Sequence, residues 1–221
     1  MHKYIIFDVD GTLLDCKEGL LSSIKYTIQE HNLKPISDDV LKTFIGPPIQ
    51  NSLINTYKIS EKEAQIYANT FRKRYADKDL YKAEVYDGVY ELFDFLQKQN
   101  YKLGIATYKR EDYAINLIKH FHLDKYLDAI CGADNNNVLT KKDIISNCIQ
   151  KLNATQNECI YIGDSESDAK ASKMLSIDFI GVTYGYGFKT VDDFKEILPL
   201  FVAHKIIEIQ KYLKEEKWKK Y

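Results

Sequence analysis

Aspartates follow two apolar runs of the sequence, at the positions where a buried strand would end. The first run is followed by Asp8-Val9-Asp10-Gly11-Thr12, and a later one by Gly163-Asp164, with Asp168 four residues further on. Because parallel sheets bind ligands at the carboxyl ends of their strands, we expect these carboxylates to meet in one crevice. Crowded carboxylates repel each other unless a cation lies among them, and oxygen ligands favour Mg²⁺. The spacing therefore predicts a magnesium site and an anionic substrate.

Two further side chains are expected at the same edge of the sheet. Thr107 ends another apolar run, and Lys141 begins the helical pattern that follows the run Ala129–Cys131. A hydroxyl and an ammonium group would supply a hydrogen bond and a positive charge beside the carboxylates. Lys142 is adjacent, and a pair of lysines is normally solvated, so the residue types alone leave the choice between the two open.

A parallel sheet is needed to bring these residues together. The apolar runs that predict its buried strands are Tyr4–Val9, Leu103–Ala106, Ala129–Cys131, Cys159–Ile162 and Phe179–Val182. Helical patterns lie between the later runs, including Lys141–Leu152, which follows Thr140 and has Asp143 placed for a capping box. Strands that alternate with helices predict an α/β fold with a doubly wound parallel sheet.

The segment from residue 15 to residue 82 interrupts this alternation. It contains helical patterns and no convincing strand, and Gly46-Pro47-Pro48 forms a rigid turn after one of them. We therefore expect an α/β core made of residues 1–14 and 83–221, with a helical insertion at residues 15–82. The final stretch, Ile206–Tyr221, predicts a lysine-rich amphipathic helix that either closes the core with a solvated face or binds a membrane or a partner.

Composition excludes several classes of protein. The chain has 221 residues, is 45% hydrophobic and 29% charged, and carries a formal net charge of -1, so it offers no broad positive field for nucleic acid. Its four cysteines lie among apolar neighbours, as is typical of buried thiols in a reducing compartment. Asp8 and Asp10 interrupt the first apolar run, which excludes a signal peptide, and no run approaches the roughly 20 residues of a membrane helix. We expect a cytoplasmic monomer or homodimer without nucleic-acid or membrane partners.

Four motifs together carry a specific resemblance. Asp8-Val9-Asp10-Gly11-Thr12-Leu13 resembles the signature that opens the haloacid dehalogenase (HAD) superfamily of phosphohydrolases. Thr107, Lys141 and Gly163-Asp164-Ser165-Glu166-Ser167-Asp168 match its three later motifs, in the expected order and on the expected elements. The match spans residues 4 to about 187. It implies a Rossmann-like core that carries a helical cap after the first motif.

The resemblance also implies a role for each residue. Asp8 would be the nucleophile that forms an aspartyl phosphate, and Asp10 would be the general acid and then the general base. Lys141, rather than Lys142, would neutralise developing charge and restrain Asp8. The Mg²⁺ ligands would be Asp8, Asp164 and the backbone carbonyl of Asp10, with Asp168 assisting directly or through water. Asp168 is alternatively an acid favoured by the helix dipole alone.

A further set of residues is expected to contact the substrate or its phosphate. In the core this set contains Thr107, Gly11 and Tyr108, the last of which stands where the superfamily often has Asn or another small polar residue. In the cap, the turn that contains Gly46 and Pro47 is similar to the substrate-facing loop of the phosphoglycolate phosphatase-like branch.

Together these features predict a Mg²⁺-dependent phosphatase of a small phosphorylated metabolite, similar to phosphoglycolate phosphatases. A nucleotidase or a pyrophosphatase of the same superfamily is the alternative within this chemistry. A phosphate-binding or regulatory protein without turnover is the alternative outside it, although a pure binder does not need Asp10. The cap is expected to act as a mobile lid that restricts the enzyme to small esters, with packing elsewhere, such as at a dimer surface, as the alternative.

Overall fold

The structure is a computed structural model that describes residues 2–135, 138–195 and 197–218. The chain forms two compact units, of which the first contains Met1–Asp15 and Val85–Tyr221 and the second is Cys16–Glu84. The second unit is therefore inserted into the chain of the first. Residues 219–221, the end of the predicted C-terminal helix, lie outside the described residues.

A parallel sheet forms the centre of the first unit. The strands are β1 (Tyr4–Phe7), β2 (Leu14–Asp15), β3 (Glu84–Val85), β4 (Lys102–Arg110), β5 (Ala129–Ala133), β6 (Cys159–Gly163), β7 (Asp178–Val182) and β8 (Phe201–Ala203). Within the described residues, six of them pair in the order β5-β4-β1-β6-β7-β8, all parallel, and β2 pairs with β3 in a separate small sheet. After β1, the chain adds β4 and β5 on one side of it and then β6, β7 and β8 on the other. The predicted doubly wound sheet is therefore confirmed.

Helices connect these strands and form the inserted unit. They are α1 (Lys17–Glu30), α2 (Asp38–Lys42), α3 (Ile49–Tyr57), α4 (Glu61–Arg74), α5 (Val89–Lys98), α6 (Glu111–His120), α7 (Lys141–Lys151), α8 (Glu166–Leu175) and α9 (Ile206–Trp218). The capping box predicted for α7 is present, since the hydroxyl of Thr140 accepts from the amide of Asp143 and the carboxylate of Asp143 accepts from the amide of Thr140.

The first unit buries both faces of its central strand. Ile5, Ile6 and Phe7 of β1 are fully buried, although successive side chains of a strand point to opposite faces. Ile6 lies in a hydrophobic cluster with side chains of α7 and α8, whereas the ring of Phe7 lies 5.2 Å from that of Phe93 on α5. Helices on both faces are the reason that the strands are continuous apolar runs and do not alternate with polar residues.

The second unit contains α1 to α4 and is organised around a buried carboxylate. Asp79 is fully buried and accepts a hydrogen bond of 2.9 Å from the hydroxyl of Ser23. Arg74 and Lys82 each place a nitrogen 2.9 Å from its oxygens. Burial alone would raise the pKa of Asp79, but bonds from Lys82, Arg74 and Ser23 hold it below its usual value. The carboxylate therefore stays charged and links the two ends of this unit.

Two features of the sheet differ from the prediction. β8 was not predicted, because Pro199 interrupts the apolar stretch that contains Phe201–Ala203. β4 continues past Thr107 to Arg110, with a shift of register in which Ala106 pairs with Cys131 and Arg110 pairs with Ala133. Four residues of β4 thus span the length of two on β5, which is a bulge, and bulges redirect the side chains that they contain.

The prediction of buried thiols is confirmed within the described residues. All four cysteines are buried free thiols, namely Cys16, Cys131, Cys148 and Cys159. No helix in the described parts of the chain combines the length and the apolar character needed to cross a membrane.

Candidate active site

The loop that follows β1 has its shape set by backbone hydrogen bonds. The carbonyl oxygen of Val9 accepts from three amides, at 3.2, 2.9 and 3.0 Å, which belong to Thr12, Leu13 and Leu14. The amide of Asp8 donates to the carbonyl of Ile162 at 2.9 Å and so ties the start of the loop to β6. Asp8 and Asp10 are therefore held on a tight turn at the carboxyl end of the central strand.

Gly11 allows this turn to lie against a second acidic motif. Its φ is +83°, and a Cβ atom at this position would lie 2.4 Å from Oδ2 of Asp164. Only glycine adopts this conformation without strain and without a clash. Gly11 thus allows the backbone to approach the carboxylate of Asp164 closely, and its contact with phosphate stays a prediction.

Lys141 lies between two aspartates at the N-terminus of α7. Its Nζ is 2.8 Å from Oδ1 of Asp8 and 2.8 Å from Oδ1 of Asp168. The lysine is 3% exposed, whereas Lys142 is exposed. Burial alone would lower the pKa of Lys141, but the carboxylates of Asp168 and Asp8 outweigh it and raise the pKa above its ordinary value. The ammonium group therefore keeps its charge, and the choice between the two lysines falls on Lys141.

Two tyrosines surround this lysine. The Nζ of Lys141 lies 5.4 Å from the ring centre of Tyr108 and 5.6 Å from that of Tyr161. The hydroxyl of Tyr108 accepts a hydrogen bond of 2.8 Å from the backbone amide of Lys141. Tyr108, which was predicted to contact phosphate, therefore caps α7, and the contact with phosphate stays a prediction. The hydroxyl of Tyr161 lies 2.6 Å from the carbonyl of Ala106 and 3.2 Å from Oδ1 of Asp168.

Asp164 is held by the loop that follows β7. Its Oδ2 accepts from the amides of Tyr186 at 2.6 Å and Gly187 at 3.0 Å, while Oδ1 has no hydrogen bond within the described residues. A Cβ atom on Gly185 would lie 2.3 Å from the same Oδ2 and 2.3 Å from the carbonyl of Gly11. The loop thus encloses one oxygen of Asp164 and leaves the other available for a ligand.

Asp168 has both carboxylate oxygens occupied by protein groups. Oδ1 contacts Lys141 and Tyr161, while Oδ2 accepts from the amide of Ser165 at 3.0 Å and from its hydroxyl at 2.6 Å. The contacts to Ser165 form the capping box of α8. Asp168 therefore has two roles in the protein: it lies in the first turn of α8, where it caps the helix, and it forms an ion pair with Lys141. It remains a candidate metal ligand because of its place among the other carboxylates.

A separate ion pair joins the bulge of β4 to Asp10, the second acid of the first motif. Lys109 places its Nζ 3.0 Å from Oδ2 of Asp10. Its backbone amide donates to the hydroxyl of Thr107 at 3.1 Å, and Thr107 is buried. Oδ1 of Asp10 is buried and has no hydrogen-bond partner in the described residues. Thr107, Lys109 and Asp10 thus form a connected group beside the Asp8–Lys141 pair.

The carboxylates of the site crowd one another. Burial, together with the charge of Asp168, raises the pKa of Asp8 to about 6, although Lys141 lowers it. Burial raises the pKa of Asp164 to about 7, with further contributions from Asp168 and Asp8 and opposing hydrogen bonds from Gly187 and Tyr186. These raised values mean that two buried negative charges lack sufficient compensation from protein cations alone.

The donor set fits a hard divalent cation. Asp8, Asp164 and Asp168 each offer an oxygen, and these oxygens all lie within 4.8 Å of one another. Oxygen ligands in a site with few protein donors suit Mg²⁺, which retains several waters. A cation here would relieve the repulsion that raises the pKa of Asp8 and of Asp164. The residues present therefore fit the predicted metal, with Asp8 and Asp164 having the more available oxygens.

Most of the predicted site residues are brought together by the first unit. The connected set consists of Asp8, Asp10, Gly11, Thr107, Tyr108, Lys141, Asp164 and Asp168. Gly46 and Pro47 lie in the second unit, in the turn between α2 and α3. Their part in substrate binding stays a prediction.

Sequence reasoning missed several residues that support the site. Lys109 stands two residues after Thr107, so the period of a strand would have placed both on one side. Tyr161 places a hydroxyl group inside an apolar strand, and a buried tyrosine hydroxyl needs a hydrogen-bond partner. The loop with Gly185 and Gly187 follows the carboxyl end of β7, where parallel sheets bind their ligands.

Comparisons with known proteins agree with the motifs. The family described as haloacid dehalogenase-like hydrolase matches residues 5–182. A 5'-nucleotidase of Pseudomonas aeruginosa is 31% identical over 184 residues, which cover 83% of each chain. Pyrophosphatase PpaX of Listeria innocua is 27% identical over 215 residues, which cover 96% of each chain. The crystal structure of a predicted phosphatase from Clostridium acetobutylicum is similar with a TM-score of 0.90 and 30% identity, covering 97% of this chain and 99% of that chain.

Proposed function

Because the chain belongs to the haloacid dehalogenase-like hydrolases and is a phosphatase of that superfamily, we propose that it hydrolyses a small phosphate monoester with Mg²⁺ as cofactor. The reaction proceeds through an aspartyl phosphate on Asp8. The observation that carries this proposal is the buried pair of Asp8 and Lys141, 2.8 Å apart, beside the available oxygen of Asp164. A nucleophile, a fixed positive charge and a cation site thus share one end of the sheet.

In the first step, Asp8 attacks the phosphorus of the ester. A new bond forms between a carboxylate oxygen of Asp8 and phosphorus, and the bond from phosphorus to the ester oxygen breaks. Asp10 donates its proton to that oxygen, so the alcohol leaves neutral and Asp10 becomes a carboxylate. Since the pKa of Asp8 is about 6, Asp8 is ionised at neutral pH, as a nucleophile must be.

In the second step, water attacks the same phosphorus. Asp10 takes a proton from the water, the bond between Asp8 and phosphorus breaks, and inorganic phosphate leaves. Both side chains return to their starting states, so each turnover consumes one water and one ester. One covalent intermediate therefore divides a difficult displacement into two steps.

Lys141 and Thr107 bind the transferring phosphoryl group. The ammonium group of Lys141 is fixed by Asp8 and Asp168, by the two tyrosine rings and by the hydroxyl of Tyr108 on its backbone amide. It neutralises negative charge on the phosphoryl oxygens without having to reorganise, which is the condition for large electrostatic stabilisation. Thr107 would donate its hydroxyl hydrogen, because its oxygen already accepts from the amide of Lys109.

Mg²⁺ would be held by Asp8, Asp164 and the backbone carbonyl of Asp10, with Asp168 close enough to act directly or through water. When bound, it supplies positive charge that draws the phosphate toward the nucleophile and stabilises developing negative charge. Tyr186 and Gly187 orient Asp164 for this role through their amides. Such supporting bonds around a metal ligand commonly change metal affinity by about 10–100-fold.

The substrate class is a small phosphate monoester of the phosphoglycolate type. The similarity to a 5'-nucleotidase and to a pyrophosphatase makes a nucleoside monophosphate and pyrophosphate the two specific alternatives. All three carry the same transferable phosphoryl group and differ only in what leaves. Selection among them would therefore depend on groups outside the set that contacts phosphorus.

Selection of small substrates is assigned to the second unit. Cys16–Glu84 is inserted directly after the loop that carries Asp8 and Asp10, and it is compact in its own right. We propose that it acts as a cap that excludes bulk water and large esters. The turn at Gly46-Pro47-Pro48 would contribute to this selection. In a comparison of phosphoglycolate with phosphopeptides, Pro48→Arg should change the ranking of substrates, and an unchanged ranking or efficient phosphopeptide hydrolysis would exclude the cap role.

The proposed function is tested by phosphate release with Mg²⁺ over a panel of phosphorylated metabolites and p-nitrophenyl phosphate. Asp8→Asn removes the attacking charge and keeps the shape, so turnover should fall by several orders of magnitude while the circular dichroism spectrum is unchanged. Activity within tenfold of wild type would exclude Asp8 as nucleophile. No turnover of any ester by the wild type would favour a phosphate-binding protein instead.

A further inference from the structure

Lys109 is a buried cation that none of the four sequence motifs includes. It is 8% exposed, which is unusual for lysine, and a buried ammonium group must be compensated by a charged or polar partner. Oδ2 of Asp10 lies 3.0 Å from its Nζ. The side chain thus ends at the residue to which the proposed function assigns both proton transfers.

The backbone around Lys109 holds it firmly in place. It lies inside the bulge of β4, between the register positions of Ala106 and Arg110. Its amide donates to the hydroxyl of Thr107, which fixes the local conformation of the bulge. Without the bulge, the side chains of Thr107 and Lys109 would follow the regular pleat of the strand.

The two oxygens of Asp10 have different environments. Oδ2 is held in the ion pair with Lys109, whereas Oδ1 is buried and has no partner in the described residues. A buried carboxylate oxygen without a hydrogen bond is costly, unless a ligand supplies the missing partner. The attacking water can donate to this oxygen, and when Asp10 is protonated there the ester oxygen of a substrate can accept from it.

We infer that Lys109 is a positioning residue for proton transfer: it holds Oδ2 of Asp10, so that Oδ1 is the oxygen that exchanges protons with the leaving alcohol and with water. This inference rests on the proposed function, because it assumes that Asp10 is the acid and base. Lys109 is a fixed partner for the acid, and Oδ1 is the oxygen through which the acid works. Lys109 itself transfers no proton and contacts no reacting atom.

The effect of losing Lys109 should depend on the leaving group of the ester. The leaving group of an alkyl phosphate is a strongly basic alkoxide, which needs a well-placed proton donor. The leaving group of p-nitrophenyl phosphate, p-nitrophenolate, departs readily without one. The ratio kcat/KM reports the steps up to the first irreversible one, so it omits the hydrolysis of the aspartyl phosphate that both esters share. Loss of Lys109 should therefore lower kcat/KM for the alkyl ester far more than for the aryl ester.

The experiment compares kcat/KM for an alkyl phosphate that the wild type hydrolyses and for p-nitrophenyl phosphate in the Mg²⁺-loaded full chain. Lys109→Met should reduce the value for the alkyl ester at least tenfold more than the value for the aryl ester. Lys109→Arg keeps the charge and should recover most of the difference. Lys102→Met is the matched control, because Lys102 is also a lysine of β4 that pairs with an aspartate, Asp128, but it is exposed. This control should leave the ratio between the two esters unchanged.

The outcomes for the role of Lys109 and for the proposed function can be distinguished. An equal loss for both esters, or no loss, in Lys109→Met would overturn the role of Lys109 while leaving the phosphatase proposal intact. No hydrolysis of either ester by the wild type would overturn the proposed function and this role with it. Should Lys109→Met fail to fold, Lys109→Gln, which keeps a hydrogen-bond donor without the charge, must show the same selective loss and Lys109→Arg the same recovery.

Discussion

Asp164→Asn is expected to stabilise the metal-free protein at pH 8, although it removes a proposed metal ligand. Asp164 is 3% exposed, and burial, with the charges of Asp168 and Asp8, raises its pKa from the ordinary 3.8 to about 7. The folded protein therefore binds a proton at Asp164 more tightly than the unfolded chain does. The stability that comes from this group is present below about pH 4 and is lost as the pH rises through about 7.

The size of the effect follows from these two pKa values. The difference between 3.8 and about 7 corresponds to about 4 kcal/mol, at about 1.36 kcal/mol for each pH unit. Asparagine removes the charge, and its carbonyl oxygen can still accept from the amides of Tyr186 and Gly187. Its buried NH₂ group offsets part of the gain, so we expect Asp164→Asn to raise the free energy of unfolding by about 2–4 kcal/mol at pH 8. At pH 5 the gain should be smaller by roughly 2–3 kcal/mol.

The assay is urea unfolding of wild type and variant with a chelator, at pH 8 and at pH 5, followed by circular dichroism. Asp124→Asn is the matched control, because Asp124 is exposed, and its substitution should change stability little at either pH. Added Mg²⁺ should stabilise the wild type by linkage and leave Asp164→Asn almost unaffected. A variant that is less stable than wild type at pH 8, or a gain that does not depend on pH, would refute the reasoning.

The other predictions concern the metal and the groups that support the site. The apparent affinity for Mg²⁺, measured by calorimetry, should fall from pH 8 to pH 5, because protons compete at Asp164 (pKa about 7) and Asp8 (pKa about 6); a constant affinity would contradict this. Ca²⁺ should not support turnover, since its longer bonds, about 2.4 Å against about 2.1 Å, would displace Asp8, and full activity with Ca²⁺ would exclude the proposed site. Tyr161→Phe should cost about 1–2 kcal/mol in urea unfolding, because the carbonyl of Ala106 loses a buried hydrogen bond of 2.6 Å, and an unchanged stability would argue against that bond. Gly185→Ala should weaken Mg²⁺ binding at least tenfold, because its Cβ would lie 2.3 Å from Oδ2 of Asp164, and wild-type affinity would show that the loop can move away without cost.

The motifs that carry the chemistry could be recognised from the sequence because each is local. Asp8 and Asp10 follow one apolar run within three residues, and Asp164 lies two residues after another, with Asp168 four residues further on. The apolar runs are long enough to predict most of the sheet, and the parallel arrangement then requires that the carboxyl ends lie together. The fold class, the superfamily and the places of the acidic residues in the sheet follow from these short-range patterns.

The partners of these residues were decided only by the tertiary structure. Lys109 pairs with Asp10 from the part of β4 where the register against β5 shifts, and the strand period that places Lys109 on the side of Thr107 does not say which carboxylate it meets. Tyr108 caps α7, because its hydroxyl reaches the amide of Lys141, which is 33 residues away in the chain. Such contacts depend on distances across the packed core, which hydrophobic periodicity does not specify. Sequence by itself therefore predicted which groups would react, whereas packing decided which neighbours hold them in place and raise the pKa of Asp8 and Asp164.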